Sequence, residues 1–376
     1  MSALPRDQFA ELDLQFMRRA SRLARRGYGR TSPNPMVGAL LVNGRYIIGQ
    51  GWHRGAGEPH AEIEAIRDAE SNGQSPRGAT LYVTLEPCST QGRTPPCTEA
   101  IQRAGIRRVV AAATDPNPHH AGRGFQLLRR AGIQVEYGVL EKEAARLNEA
   151  FNHWIVHRTP FVTVKAAMTL DGKIATPAGE SKWITGEKAR ALATQLRRGA
   201  DAILVGVNTV LADDPSLTVR GLKRAQKSIR RIVLDSKART PRTAKVVRDE
   251  FARLTTVVVT KSAPRRRVEA LARHVRVWTA PSRNGRVDLR WLLRKLGSEE
   301  ITSLLVEGGG EVNASFLLQR LAHRVAFFYA PKILAGKDAR KAVAGEGART
   351  PAQTLNLRDV SWRRLGPDLL LTARVD

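Results

Sequence analysis

Apolar and polar positions along this chain follow two rhythms, one typical of amphipathic helices and one typical of buried strands. Residues 8–26 space their apolar side chains three and four apart, which predicts a helix. Two apolar runs, 36–42 and 46–52, flank Asn43-Gly44, a dipeptide that predicts a tight hairpin. Strand patterns at 79–85, 108–114 and 133–140 then alternate with helix patterns from about His60, at 96–104, at 122–131 and at 141–157. This alternation predicts a three-layer α/β domain whose sheet is largely parallel beyond the hairpin.

The second half of the chain repeats the alternation and ends differently. A new strand pattern, FVTVKAAM, follows Thr159-Pro160, so we expect a boundary near 157–160 and domains at 1–157 and 158–376. Further strands are expected at 201–207, 231–235, 255–260 and 303–310, and helices at 186–198, at 287–296 and from Glu311. Two last strand patterns, at 323–330 and 369–375, predict an antiparallel ending to a second α/β domain.

The composition fits this picture and excludes several classes of protein. A chain of 376 residues suits two domains of ordinary size better than one. It contains no run of about 18 apolar residues, so no membrane span is expected. The N-terminal stretch MSALPRDQFAELDLQF lacks the pattern of a secretory signal. With two cysteines a disulfide framework is not expected, and thiol ligands fit a reducing cytoplasm.

The formal net charge of +27 is distributed unevenly. Residues 1–150 contain 20 Lys/Arg and 15 Asp/Glu, whereas the rest contains 42 and 20. A basic surface can bind nucleic acid or concentrate anionic substrates, and a plain solvated surface is the alternative. No aromatic residues, on which single-stranded bases stack, interleave the basic runs at 223–231 and 261–267. We therefore expect no nucleic-acid partner, and the Arg/Lys-rich region 221–300 has no function that its sequence indicates.

The two cysteines, Cys88 and Cys97, follow a His-x-Glu pair formed by His60 and Glu62. One imidazole and two thiolates suit a catalytic Zn²⁺ whose fourth position is open to water. Zinc makes bound water acidic enough to supply hydroxide near neutral pH, and Glu62 is then the residue expected to move protons. The alternative is that these side chains belong to the core. Both cysteines stand beside turn residues, which favours the metal.

The pattern resembles the His-x-Glu and Pro-Cys-x-x-Cys signature of zinc base deaminases, with eight residues between the cysteines here. Six segments resemble the deaminase half of the bifunctional riboflavin-biosynthesis deaminase-reductases: TSPNPMVGA (31–39), GEPHAE (57–62), TLEPCS (84–89), GRTPPC (92–97), DPNP (115–118) and AGRG (121–124). The resemblance implies a cytidine-deaminase-like three-layer α/β/α domain with one zinc ion. It also implies a pyrimidine pocket lined by Asn34, His53, Arg93, Thr94, Asp115 and Asn117. That family often has a histidine where this chain has Thr90.

Four segments of the second half resemble the reductase half of the same family, whose fold is similar to dihydrofolate reductase: TVKAAMTLDGKIAT (163–176), GESKWIT (179–185), VGVNTVLADDPSLTVR (205–220) and VEGGGEVNASF (306–316). Glycines between a strand and a helix let main-chain N–H groups approach a phosphate, although many glycine-rich turns bind nothing. The order of the four segments, rather than any single one, carries the resemblance.

The resemblance implies NADPH as the cofactor of this half. Its expected contacts are Ala167, Trp183, Thr209, Asp213, Ser236, Gly309, Gly310, Glu311, Val312, Asn313, Ala314 and Ser315. The expected substrate contacts are Ser181, Arg197, Leu217, Arg220 and Glu307, and the two arginines suit a phosphate through forked hydrogen bonds. We further expect Lys165 to orient the sugar, with Asp213 and Glu307 nearby, so these three are the expected catalytic residues of the reductase.

The expected function is therefore two consecutive steps of riboflavin biosynthesis. The first is hydrolytic deamination of 2,5-diamino-6-(5-phosphoribosylamino)pyrimidin-4(3H)-one, and the second is NADPH reduction to 5-amino-6-(5-phosphoribitylamino)uracil. A nucleic-acid deaminase would leave the second half unexplained. A non-catalytic module would be expected to lack a metal ligand or Glu62, and this chain keeps all four residues. The long loop between the cysteines favours a free phosphorylated pyrimidine. We expect a cytoplasmic enzyme that forms homo-oligomers through its reductase domain and binds no membrane.

Overall fold

The computed structural model describes residues 11–92, 95–219 and 229–375. The chain forms two compact units, Met1–Arg158 and Thr159–Asp376. Arg158 adopts a left-handed conformation (φ 55°) and ends the last helix of the first unit. Among the described residues, no helix is both long enough and apolar enough to cross a bilayer.

Unit 1 is a five-stranded sheet with helices on both faces. Its strands are β1 (Gly38–Asn43), β2 (Tyr46–Trp52), β3 (Thr80–Val83), β4 (Arg108–Ala111) and β5 (Gln134–Tyr137). Its helices are α1 (Glu11–Ala24), α2 (Ala61–Ser71), α3 (Cys97–Arg103), α4 (Arg123–Arg130), α5 (Glu141–Leu147) and α6 (Glu149–His157). The sheet order is β2-β1-β3-β4-β5, with β1 antiparallel to both neighbours and β3, β4 and β5 parallel.

The core of unit 1 lies on both faces of this sheet because neighbouring strand residues point in opposite directions. On β1, Leu41 packs with residues of α2, α3 and α4, whereas Leu40 packs with residues of α1 and α5. The predicted three-layer α/β/α fold, with a hairpin and an otherwise largely parallel sheet, is confirmed.

Two glycines of β2 let α2 lie directly on the sheet. A Cβ atom on Gly49 would stand 2.2 Å from the carbonyl oxygen of Ala65, and one on Gly51 would stand 2.4 Å from that of Ala61. No side chain fits such distances. The close approach fixes the position of the first turn of α2, which carries His60 at its N-cap.

The prediction of one helix over 141–157 is wrong, because the helix is interrupted at Asn148. The amide oxygen of Asn148 accepts from the main-chain N–H of Met36 at 2.7 Å, and its amide nitrogen donates to the Met36 carbonyl at 2.9 Å. Asn148 is 5% exposed and has φ −107° and ψ 24°, outside the helical region. Its side chain thus pairs with the loop before β1, and α5 and α6 form on either side.

Unit 2 is built on a nine-stranded sheet of order β11-β10-β9-β8-β14-β6-β15-β18-β17. Its strands are β6 (Phe161–Thr169), β7 (Lys173–Ala175), β8 (Ala202–Gly206), β9 (Arg230–Leu234), β10 (Thr255–Thr260), β11 (Arg276–Ala280), β12 (Ser282–Arg283), β13 (Arg286–Val287), β14 (Ser303–Val306), β15 (Arg324–Ala330), β16 (Arg340–Lys341), β17 (Leu357–Leu365) and β18 (Asp368–Val375). Its helices are α7 (Glu187–Gly199), α8 (Val207–Asp213), α9 (Lys245–Arg248), α10 (Arg265–Ala272), α11 (Leu289–Ser298) and α12 (Gly310–Leu318).

Every pairing from β11 to β15 is parallel, and the pairings of β15 with β18 and of β18 with β17 are antiparallel. The predicted antiparallel ending is confirmed. The sequence did not predict β17, because eight of its nine residues are exposed and no apolar alternation marks a buried face. Since the carboxyl ends of parallel strands meet at one edge, the segments after β8, β9, β10 and β14 lie along a common edge of the sheet.

Candidate active sites

Three potential metal ligands meet in unit 1 at the ends of separate elements. His60 precedes α2, Cys88 follows β3, and Cys97 is the first residue of α3. His60 Nδ1 lies 3.3 Å from Cys97 Sγ and 3.5 Å from Cys88 Sγ, and the three ligand atoms lie within 4.8 Å of one another. The main-chain N–H of Cys97 donates to Cys88 Sγ at 3.3 Å. The fold of the chain by itself brings these three residues together.

The electrostatics of the cluster favour a thiolate and a carboxyl with an elevated pKa. The hydrogen bond with Cys97 lowers the pKa of Cys88 to about 4, and the one with Cys88 raises the pKa of His60. The Cys97 thiol is hydrogen-bonded to Cys88 and is buried, and both effects raise its pKa. Burial also raises the pKa of Glu62, which is 4% exposed and hydrogen-bonded to Cys97. A thiolate binds metal, and a carboxyl with an elevated pKa suits proton transfer near neutral pH.

The predicted pocket residues Asn34 and His53 form a chain of hydrogen bonds beside the ligands. His53 Nδ1 lies 3.1 Å from the Pro59 carbonyl, which can only accept, so this nitrogen carries the proton. Burial lowers the pKa of His53, and its unprotonated Nε2 accepts from the Asn34 amide nitrogen at 3.1 Å. The ring of His53 meets that of His60 edge to face, with centroids 5.3 Å apart. These contacts fix the direction of the Asn34 amide.

Asp115 and Asn117 lie on the loop after β4, and Glu86, which the sequence did not single out, holds this loop. The Glu86 carboxylate accepts main-chain N–H bonds from Asp115 at 3.1 Å, from Gly122 at 2.9 Å and from Gly124 at 2.8 Å. Glu86 is 5% exposed and stands two residues before Cys88. It therefore ties the segment that carries a metal ligand to the loop that carries two predicted pocket residues.

The structure also gives Thr90 a partner. Thr90 Oγ1 lies 3.4 Å from Nδ1 of His120, so an imidazole from the loop after β4 lies beside Thr90. The Asp115 carboxyl lies close enough for the charge of His120 to act on it, although burial dominates and raises the pKa of Asp115. The predicted pocket residues Arg93 and Thr94 lie outside the described residues.

In unit 2, Lys165 and Glu307 meet at the centre of the sheet with Arg197. Arg197 Nε and Nη2 donate to the two oxygens of Glu307 at 2.7 and 2.8 Å, and Lys165 Nζ lies 3.6 Å from Oε2. Burial alone would raise the pKa of Glu307, but the charges of Lys165 and Arg197 lower it to about 2. Arg197 Nη1 also donates to the Thr218 carbonyl at 3.0 Å, so a phosphate would meet only its remaining N–H groups.

Asp213, at the end of α8, accepts a hydrogen bond from Ser181 at 3.0 Å, so two predicted site residues that are far apart in sequence meet. Trp183 is 57% exposed, with the Arg190 guanidinium 4.7 Å from its ring. Leu217 is 3% exposed within the core, so a substrate would touch its main chain. Arg220 lies outside the described residues.

The glycine run forms a close junction between β14 and α12. A Cβ on Gly308 would stand 2.6 Å from Val312 Cβ, and one on Gly310 would stand 2.2 Å from the Lys341 carbonyl oxygen. A Cβ on Gly309 would instead meet Thr209 Oγ1 at 3.7 Å, which is an ordinary van der Waals distance. Asn313 is fully buried, and its Oδ1 has no hydrogen-bond partner among the described residues. The junction is therefore less crowded at Gly309, which is the N-cap residue of α12.

Each half of the chain matches a family of known proteins. The model of the RibD C-terminal domain matches residues 160–371, and the model of the cytidine and deoxycytidylate deaminase zinc-binding region matches residues 10–113. The riboflavin biosynthesis protein RibD of Actinobacillus pleuropneumoniae is 44% identical over 370 residues, covering 98% of this chain and 97% of that protein. The chain belongs to the RibD family.

Other members of the family match almost the whole length of the chain. The RibD of Aquifex aeolicus is 45% identical, covering 96% of this chain and 98% of its own. The solved structure of Acinetobacter baumannii RibD is 37% identical with a TM-score of 0.86, and covers 97% of this chain and 99% of its own. That of the Thermotoga maritima deaminase and reductase is 37% identical with a TM-score of 0.84 and the same coverage. The predicted family, fold classes and enzyme class are confirmed: the chain is a bifunctional deaminase and reductase of riboflavin biosynthesis.

The residues fit the cofactors of the RibD family. The deaminase half is a zinc-binding region, and one imidazole and two thiols at ligand distance are the donor set of a catalytic zinc site. The reductase half of the family uses NADPH. A strand, a glycine run and a helix N-terminus form the kind of junction that receives a pyrophosphate, and the space at Gly309 agrees with it.

Sequence reasoning missed Glu86, His120 and Asn148. Glu86 lies within the segment TLEPCS (84–89), but its hydrogen-bond partners are main-chain groups 29 to 38 residues away. Asn148 bonds to Met36 across 112 residues. No local pattern signals such contacts.

Proposed function

We propose that unit 1 deaminates 2,5-diamino-6-(5-phosphoribosylamino)pyrimidin-4(3H)-one and that unit 2 reduces the product to 5-amino-6-(5-phosphoribitylamino)uracil. These are the two activities in the name of the Thermotoga maritima relative. The observation that carries the proposal is the meeting of His60, Cys88 and Cys97 beside the buried Glu62. It occurs in a chain whose second half also matches the RibD reductase domain.

In unit 1, His60, Cys88 and Cys97 would hold the zinc ion, which would supply an activated water. Glu62 would take a proton from the water as its oxygen bonds the amino-bearing carbon, and would pass that proton to the amino nitrogen, so that the carbon–nitrogen bond breaks and ammonia leaves. A carboxyl whose pKa burial has raised is suited to both transfers. Asn34, His53, Asp115 and Asn117 orient the pyrimidine, with Arg93 and Thr94 as further contacts. The neutral His53 directs the Asn34 amide, and Glu86 holds the loop of Asp115.

In unit 2, NADPH would supply a hydride to the anomeric carbon of the ring-opened imine, and the imine nitrogen would take a proton from solvent. Lys165 directs its ammonium group at the sugar, held by the ionised Glu307, which Arg197 fixes from the other side. Asp213 and Ser181 orient the substrate together through their shared hydrogen bond. Leu217 and Arg220 complete the substrate contacts. Ala167, Trp183, Thr209, Asp213, Ser236 and the segment 309–315 would contact the cofactor.

Ammonia release from the zinc-loaded protein with the diaminopyrimidinone substrate tests the first activity. We expect Glu62→Gln to retain zinc and lose about 100-fold or more of the deamination rate. We expect Cys88→Ser to lose zinc. NADPH oxidation with the deaminated substrate should persist in both variants, because the second site does not use these residues. Deamination by Glu62→Gln near the wild-type rate would refute the assigned role.

The expected assembly and location are part of the same proposal. We propose a cytoplasmic homo-oligomer joined through the reductase unit, acting on a free small molecule and on neither nucleic acid nor membranes. Sedimentation of the intact protein measures the assembly. Incubation with RNA and single-stranded DNA, followed by base analysis, measures deamination of nucleic acid, and we expect none. A product on either polymer would contradict the assignment.

A further inference from the structure

A cluster of basic side chains follows β10, at the carboxyl edge of the sheet in unit 2, and the proposed reactions do not use it. The segment 261–267, KSAPRRR, contains four basic residues and no acid. All four basic side chains are exposed. Arg265 pairs with Glu269 at 2.7 Å, whereas Lys261, Arg266 and Arg267 have no ion-pair partner within the part of the chain that the structure describes. Such a concentration of free positive charge attracts a phosphate.

The expected NADPH contacts lie on or after adjacent strands of the sheet, in an order that leads towards this cluster. Ala167 lies on β6, Gly309 follows β14, Thr209 follows β8, and Ser236 follows β9. The order of these strands across the sheet is β6-β14-β8-β9, and the next strand is β10. The reactive end of the dinucleotide belongs at Lys165 and Glu307, on β6 and after β14. Its adenosine end would therefore extend past Ser236 towards the end of β10.

The segments at the carboxyl ends of β9 and β10 are hydrogen-bonded to each other, so the cluster lies close to Ser236. The parallel register pairs Val258 with Leu234, so Thr260 lies beside Ser236. Thr260 donates to the Ser236 carbonyl from its main-chain N–H at 3.3 Å and from its hydroxyl at 2.9 Å, and that hydroxyl lies 2.8 Å from the Ser262 hydroxyl. Neighbouring strands are about 4.8 Å apart. Lys261 thus lies one strand spacing beyond an expected cofactor contact.

We propose that the segment 261–267 binds the 2′-phosphate of NADPH and makes unit 2 select NADPH over NADH. The proposal rests on the proposed reductase function. A phosphate monoester carries between one and two negative charges near neutral pH and accepts several charge-assisted hydrogen bonds. NADH presents a hydroxyl at the same position, which gains little from a cationic cluster. Lys261, Arg266 and Arg267 supply the charge, and the Ser262 hydroxyl supplies a neutral donor.

Calorimetric titration of the intact, zinc-loaded protein with NADP⁺ and with NAD⁺ tests the proposal without relying on turnover. In the triple variant Lys261→Ala, Arg266→Ala, Arg267→Ala we expect the affinity for NADP⁺ to fall about 10- to 100-fold, the effect of losing one or two charged hydrogen bonds. The affinity for NAD⁺ should change by less than about twofold. The wild-type preference for 2′,5′-ADP over 5′-AMP should shrink in parallel.

Arg273→Ala provides the matched control. Arg273 is an exposed arginine at the other end of α10, just before β11 begins at the amino edge of the sheet. It should leave the binding of both nucleotides unchanged. Equal losses for NADP⁺ and NAD⁺ in the triple variant, or no loss, would overturn the subsite while wild-type binding upheld the reductase function. A wild-type protein that bound neither nucleotide would overturn both.

Discussion

Replacing Glu86 with glutamine removes the charge from a buried carboxylate that holds three main-chain N–H groups. Glutamine keeps one acceptor oxygen and turns the other into an NH₂ group, so at least one of the N–H groups of Asp115, Gly122 and Gly124 loses its acceptor. Leaving a buried donor unpaired and weakening the remaining bonds costs about 2–4 kcal/mol of unfolding free energy. In a unit of this size that corresponds to a melting temperature lower by about 5–15 °C.

The catalytic consequence follows from the loop that Glu86 holds. Asp115 and Asn117 would lose their fixed distance from the metal ligands, and a displacement of about 1 Å can cost about 100-fold in rate. We therefore expect kcat/KM for deamination to fall about 10- to 100-fold. Zinc content and NADPH-dependent reduction should be unchanged, because His60, Cys88 and Cys97 keep their elements and unit 2 is untouched.

Calorimetric melting of the zinc-loaded protein, metal analysis and ammonia release measure these effects. Glu70→Gln is the matched control, since Glu70 is an exposed glutamate of α2 in the same unit. It should melt and deaminate like the wild type. If Glu86→Gln melted at the wild-type temperature and deaminated at the wild-type rate, the positioning role would be refuted. Loss of zinc together with activity would mean that Glu86 supports the ligands rather than the loop.

Three further predictions concern single side chains. Because the pKa of Glu307 is lowered from 4.5 to about 2, its ionisation stabilises unit 2 fully above about pH 4.5 and progressively less as the pH falls towards 2. Denaturation across this range should show a smaller acid-dependent loss of unfolding free energy in Glu307→Gln than in the wild type, and equal losses would refute the role of Glu307. Asn148→Ala removes two hydrogen bonds to Met36 and should cost about 1–3 kcal/mol of unfolding free energy, measured in urea; a wild-type midpoint would show that the bonds are dispensable. Gly310→Ala would put a Cβ 2.2 Å from the Lys341 carbonyl oxygen, so α12 must shift; we expect weaker NADP⁺ binding by calorimetry with deamination intact, and unchanged binding would contradict the close-packed junction.

Local chemistry in the sequence was sufficient to predict most of the elements and a candidate metal site. The hairpin depends on the adjacent residues Asn43 and Gly44, and most strands and helices depend on the spacing of apolar residues within one element. His60, Cys88 and Cys97 could be chosen because their side chains are the ligands that zinc prefers, whatever the fold between them. The roles of the reductase residues came from resemblance to a family and remain predictions.

The tertiary structure decided which side chains hold which loops. Glu86, Asn148 and the pair of Arg197 with Glu307 bond across 29 to 112 residues, and nothing in the sequence near either partner indicates the other. The strand β17 has no buried face, so only its pairing with β18 makes it a strand. Apolar spacing indicates whether a residue faces the core, because the buried positions of a helix or strand recur with the period of that one element. It does not record which distant polar group a buried carboxylate, amide or guanidinium meets, because that depends on how separate elements pack.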